Sequence, residues 1–243
     1  RFLVEAAGYA FLPGSLSKET NMSVESKLCT SKIKKSLVPC AYNDNALKAG
    51  FGFISEPGIP HLTIDSQSGN GDGMTHLLYT LAHQLTNQNE NILVAQAERI
   101  FSCNLIQHRD MKKLFDVNWL LIDDVNFLLG KQEAFINPIF DMLAARNKTG
   151  KKTLYTLAIA ADELNKLMPD KHMDFLYASA QCRLEIPSLA DKLKIGQFIC
   201  SQLAFAPDPQ TLTSFVNESG NIRQLENLLN RYNAEQRLNN CQR

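Results

Sequence analysis

Residues 61–88 read HLTIDSQSGNGDGMTHLLYTLAHQLTNQ, and this stretch decides the fold. His61-Leu62-Thr63-Ile64-Asp65 predicts a short strand. Thr75 to Gln88 places Leu77, Leu78, Leu81, Ala82 and Leu85 at helical spacing. Between them lies Ser68-Gly69-Asn70-Gly71-Asp72-Gly73-Met74-Thr75. Strand, glycine loop and helix is the context of the phosphate-binding pattern G-x-x-x-x-G-K-[ST]. That pattern cradles phosphates with backbone N–H groups, reaches them with Lys and holds Mg²⁺ through the Ser/Thr hydroxyl. Gly73 and Thr75 fall on the pattern, with Gly69 and Gly71 inside it. Ser68 replaces the first Gly, Met74 replaces the Lys, and Asp72 sets a negative charge beside the cradle. The expectation is a loop that keeps its backbone shape after losing its cation, which points away from a vigorous ATPase.

Further strands are expected at Ile92–Ala95, Trp119–Ile122 and Lys152–Ala160, and helices at Ala97–Gln107 and Ala134–Arg146. The uninterrupted apolar runs are those of parallel strands buried on both faces. Strands alternating with helices imply right-handed βαβ units, an α/β body with helices on both faces of a parallel sheet. After Pro187 the pattern changes to three helices, Leu189–Leu203, Asp208–Asn217 and Asn221–Leu238, a small C-terminal helical lid. Residues 1–45, rich in Ser, Lys and Asn without a sustained period, read as a tail or linker. The expected division is tail 1–45, body 46–187 and lid 188–243. The chain begins at Arg1, so Met22 is the expected native start and 1–21 an upstream remnant.

Composition narrows the function classes. Hydrophobic residues make up 44% and charged residues 21% of 243, enough to bury a full core. Lys+Arg and Asp+Glu both total 25, which removes any global electrostatic drive toward nucleic acid. The six cysteines form no C-x-x-C pair and read as reduced thiols of a cytoplasmic protein. No apolar stretch approaches a membrane span. The five histidines share no metal-ligand spacing and read as surface or packing residues.

Two further features carry chemistry. Trp119-Leu120-Leu121-Ile122 ends in Asp123-Asp124, the form of a Walker B element: a carboxylate at the end of a central strand lies beside a phosphate loop. Asp123 is the expected Mg²⁺ carboxylate and Asp124 the residue that polarises an attacking water. The plainer reading is that two Asp residues end a strand and cap a turn. Arg223, in the first turn of the last helix, gains nothing from the helix dipole. A cation so placed points to an anionic partner such as a nucleotide phosphate; a solvated Arg beside Glu226 is the alternative.

Four segments together, SGNGDGMTHLL (68–78), WLLIDDVNFLLGKQ (119–132), TLYTLAIAADEL (153–164) and GNIRQLENLLNR (220–231), resemble the DnaA/Hda group of AAA+ proteins, the bacterial replication initiator and its regulator. The similarity covers roughly residues 58–235. The stretch 139–164 with SLADKLKIGQF (188–198) is more similar to Hda. The resemblance implies a stand-alone AAA+ module, without the helix-turn-helix domain of DnaA. It implies ADP or ATP with Mg²⁺ as the family cofactor, bound through Gly69, Gly71, Gly73, Thr75 and Arg223, with the metal at Asp123 and Thr75. Asp123 and Asp124 match Walker B, Asp162 the acidic end of sensor 1, and Arg223 the sensor 2 arginine. Asp124 and Asp162 are expected to be vestigial. The segment that carries an arginine finger in the family corresponds to Leu176–Ala180 and holds no Arg, and a finger is worth roughly 10³–10⁵ in hydrolysis rate.

The function expected is that of a non-catalytic AAA+ regulator of bacterial replication initiation that acts by protein contact. An ADP- or ATP-binding Hda-type regulator with weak or no hydrolysis is the alternative, and a DNA-associated loader or initiator fragment a third. The AAA+ initiator is the expected partner. Docking on the sliding clamp through Lys35–Cys40, similar to the Hda clamp peptide but without its Gln, is the other. Direct DNA binding is not expected, and self-association is left open.

Overall fold

The computed structural model describes residues 37–56, 58–69, 71–106, 108–159, 166–167, 172 and 179–241. Five parallel strands, β1 (His61–Ser66), β2 (Ile92–Gln96), β3 (Trp119–Asp123), β4 (Lys152–Leu157) and β5 (Ala180–Leu184), form one sheet in the order β2-β3-β4-β1-β5. Ile64 lies opposite Thr156 on one side and Cys182 on the other, and Ile122 lies opposite Tyr155. The body helices are α1 (Ala41–Ser55), α2 (Met74–Asn87), α3 (Ala97–Ile106), α4 (His108–Asp116) and α5 (Glu133–Lys148).

Strand alternation divides the core in two. Leu62, Ile64, Ile92, Val94, Trp119, Leu121 and Leu154 pack with α1 and α2 on one face. Leu93, Leu120, Ile122, Tyr155 and Leu157 pack with α3 and α5 on the other. Each fully buried aliphatic side chain contributes about 1.5–3 kcal/mol, so both faces are committed. This is the α/β parallel sheet with helices on both faces that the apolar runs imply. The lid follows as α6 (Leu189–Gln202), α7 (Pro209–Glu218) and α8 (Ile222–Cys241), around a third small core that includes Leu212, Leu225 and Leu229. Its starts are set by caps: Ser188 and Asp191 form a capping box on α6, and Asp208 accepts from the Thr211 N–H ahead of Pro209 on α7.

Four elements differ from the sequence expectation. The boundary drawn at 45 falls inside α1, which carries Tyr42, Ala46, Phe53 and Ile54 into the main core. Strand β5 was not predicted: it is an edge strand with Gln181 and Arg183 exposed and only Cys182 and Leu184 buried, so it lacks the continuous apolar run of the others. Helix α4 was not predicted either, and β4 stops at Leu157. Among the described residues no helix is long and apolar enough to cross a membrane.

Candidate functional site

The carboxyl ends of β1, β3 and β4 open onto a cavity of about 690 Å³ between body and lid. Ligands of open α/β sheets bind in this crevice, outside the strand ends. The glycine loop forms its floor. Gly69, Gly71 and Gly73 have φ of 86°, 101° and 102°, the region that favours glycine. Ser68 is not among the positive-φ residues, so its replacement of the first pattern glycine brings no backbone strain. Gly73 is the N-cap of α2, whose first turn therefore faces the cavity with its unbonded N–H groups, an anion-binding arrangement.

The hydroxyl and carboxylate expected to hold Mg²⁺ meet. Thr75 Oγ1 donates to Asp123 Oδ1 at 3.0 Å, and Thr156 Oγ1 donates to the same oxygen at 2.9 Å. The Asp124 N–H in turn donates to Thr156 Oγ1 at 2.7 Å, which joins the loop, β3 and β4 around one carboxylate. These hard oxygens suit Mg²⁺. Among the described residues no group of three or more His, Cys, Asp or Glu side chains forms a metal site by itself, so the donor set fits a metal that arrives with phosphates. Asp124 has φ of 61°, a left-handed conformation Asp tolerates better than most residues. Partial burial, then the neighbouring Asp123, raise its carboxyl above the ordinary range, while Arg223 lowers it.

The cation balance is the departure. Met74, at the lysine position, packs into the core beneath the cavity. Among the described lining residues Arg223 is the one Arg or Lys, and it faces Asp123, Asp124 and Glu226. Three carboxylates against one guanidinium disfavour a bare polyphosphate.

Asp72 is not where the sequence places it. Its side chain is fully buried, outside the cavity lining, and accepts from Ser66 Oγ at 3.1 Å. Burial pushes its carboxyl up, while Ser66, the Ile222 N–H and Lys192 pull it back. It faces the lid rather than a bound phosphate. The expected docking segment also proves occupied: Lys35 and Ser36 lie outside the described residues, but Leu37 and Val38 pack on the core and Cys40 is buried. Asn43 Nδ2 donates to Val38 O at 2.9 Å, and Lys194 Nζ donates to Pro39 O at 2.8 Å. Leu37, Val38 and Tyr42 line a second, apolar cavity of about 290 Å³ that shares Gly73, His76, Ile222 and Glu226 with the first.

Asp162 and residues 176–178 of the finger segment lie outside the described residues; Ser179 bonds Thr63 and Ala180 begins β5. Sequence reasoning missed Thr156, Gln96, Tyr79 and the lining role of His76. For Thr156 a signal existed, a hydroxyl near the end of an apolar strand. Two other histidines fit the packing reading: His61 is buried, and His172 stacks on Phe140 at 4.4 Å.

Comparison with known proteins gives a consistent picture. The family described as the bacterial DnaA ATPase domain matches residues 33–175. The chromosomal replication initiator protein DnaA of Methylibium petroleiphilum is 27% identical over 84% of this chain and 45% of its own length. The chain spans about half the length of the curated relatives it matches. Domain III of the Thermotoga maritima replication initiation protein DnaA superposes with a TM-score of 0.67 at 21% identity, over 79% of this chain and 82% of that one. A replication initiator DnaA bound to AMPPCP and single-stranded DNA superposes with a TM-score of 0.69 at 16% identity, over 82% of this chain and 63% of that one. At such identities the superpositions establish the AAA+ fold.

Proposed function

The chain belongs to the bacterial DnaA ATPase-domain family, and from that premise we propose that it serves replication initiation as a non-hydrolysing AAA+ module that acts through contact with another AAA+ protein. The observation that carries this reading is the cavity's charge: Met74 is folded into the core, and Arg223 alone faces three carboxylates. Hydrolysis needs the transferred phosphoryl group clamped by cations, and the strongest of them is missing. The Thr75–Asp123 contact keeps the place of a nucleotide-borne Mg²⁺ but supplies no charge toward the phosphate chain.

The partner that suits such a module is the initiator itself, because AAA+ modules of this group associate head-to-tail. Hda-type regulation without stimulation of hydrolysis is the form this takes. The sliding clamp is the weaker choice, since Leu37–Cys40 would have to leave the core to dock. A second reading, retention of ADP or ATP without turnover, is favoured by one observation. The polar cavity and the apolar slot share Gly73, His76, Ile222 and Glu226, a shape suited to phosphates at one end and a base at the other. One structural neighbour holds single-stranded DNA, so DNA belongs in the test as a competitor.

The test is phosphate release from MgATP by the full chain, alone and with a DnaA-family initiator, alongside light scattering of the mixture. The expected result is a complex and no turnover attributable to this chain. Turnover abolished by Asp124→Asn would reject the non-hydrolysing reading. Failure to bind the initiator, with retention of single-stranded DNA, would favour the DNA-associated alternative.

A further inference from the structure

The sheet divides at the floor of the cavity. Pairing between β2 and β3 runs on to Gln96 opposite Asp123, and pairing between β1 and β4 runs on to Asp65 opposite Leu157. Between β3 and β4 it ends earlier, at Ile122 opposite Tyr155. Asp123, Asp124, Thr156 and Ala158 all line the cavity, so the gap between the two strand ends opens into it. Backbone N–H groups released from a ladder need other acceptors.

Side chains supply them, one from each side of the gap. The Asp124 N–H, just past β3, donates to Thr156 Oγ1 on β4 at 2.7 Å. The Ala158 N–H, just past β4, donates to Asn126 Oδ1 at 2.7 Å, and Asn126 belongs to the short 3₁₀ helix Val125–Leu128 that follows β3. The two bonds cross the gap in opposite senses. The Thr156 hydroxyl is used twice, because it also donates to Asp123 Oδ1 at 2.9 Å. From the glycine loop, Thr75 donates to the same oxygen at 3.0 Å. Thr156 and Asp123 are both buried, where such bonds are not readily exchanged for bonds to water. Asp124 takes its left-handed conformation at the residue whose N–H Thr156 accepts.

We propose that Thr156 is the positioning residue of this site: with Asn126 it braces the gap and sets Asp123 and Asp124 where a metal carried by a nucleotide meets them. It acts through the two carboxylates. A hydroxyl suits the place because it accepts and donates at once; Val has nearly its shape and does neither, and Ser keeps both. Groups that orient a metal ligand in this way are worth about ten- to a hundredfold in metal affinity. The proposal rests on the reading in which the cavity retains ADP or ATP, yet the brace itself is measurable with no nucleotide present.

The experiment is calorimetric titration of ADP into the full chain, in Mg²⁺ and in EDTA, with amide exchange of the same ligand-free proteins followed by NMR. In Thr156→Val the factor by which Mg²⁺ tightens ADP binding should fall about tenfold or more, while affinity in EDTA matches the wild type. Exchange of the Asp124 amide should rise about tenfold. Thr156→Ser should keep both the Mg²⁺ factor and the slow exchange. If Thr156→Val does not fold, Asn126→Ala should raise Ala158 exchange and lower the Mg²⁺ factor in the same direction by less. A Mg²⁺ factor absent from an ADP-binding wild type, unchanged in a folded Thr156→Val, or lost equally in Thr156→Ser, would overturn the assignment. ADP binding by none of the proteins, with the Asp124 exchange response to Thr156→Val intact, would reject the nucleotide reading alone.

Discussion

The two ends of the sheet hold comparable polar chemistry and treat it in opposite ways. At the amino end Arg146 is fully buried and donates six hydrogen bonds, five to the carbonyls of Leu114, Phe115, Val117, Asn118 and Lys152 and one to Thr153 Oγ1. At the start of β1, His61 is buried as well, and burial, then the Arg146 charge, push its imidazole down to about 4. At the carboxyl end Asp123, Asp124 and Arg223 surround an open cavity, with Asp124 in a left-handed conformation. Saturated buried charge fixes an architecture; charge left facing a cavity is available to a ligand.

Arg146→Met tests the saturated end with the largest expected effect. It removes a donor from five carbonyls, of which Phe115 keeps Lys151 Nζ and Asn118 keeps the Lys152 N–H, and a loss of about 3–5 kcal/mol is expected in urea unfolding. A loss below about 1 kcal/mol would mean that the loops find other donors.

His61 comes next. Its folded-state value lies below its unfolded one, so its contribution is present above about pH 6.5 and is lost as pH falls toward 4. The difference corresponds to about 3 kcal/mol. His61→Phe should flatten that part of the stability–pH curve; an unchanged slope would place the acid sensitivity elsewhere.

At the open end the expected sign reverses. Asp124 lies in a left-handed conformation next to a like charge, so Asp124→Asn should stabilise the protein. The residue stays open to the cavity, so screening limits the gain to a few tenths of a kcal/mol, about 1–2 °C in melting temperature. A fall in melting temperature would show that the carboxylate holds the end of β3 together.

The sequence makes the saturated regions easy to read and the directional ones hard. Strands β2 and β3 are legible because burial on both faces enforces continuous apolar runs, β1 because it leads into the glycine loop, and Thr75, Asp123 and Asp124 follow from their places at the loop and strand end. Strand β5 is buried on one side only, and α1 contains Gly50 and Gly52, which blur its period. Asp72 is the instructive miss. Its spacing fixes it in the loop, but the direction of a side chain there depends on the lid helix, some 150 residues further along the chain, that comes to lie against it. Thr156 is hidden for a related reason: only the parallel register of β3 and β4 brings its hydroxyl to Asp123.

The glycine loop retains its shape and its metal donors and has lost the cation for phosphate. Calorimetric titration of MgATP into the wild type and Met74→Lys tests it most directly. About ten- to a hundredfold tighter binding by the variant is expected, the worth of one charge-assisted contact, because Gly71, Gly73 and Thr75 are already in place. Equal affinities in the two folded proteins would contradict it.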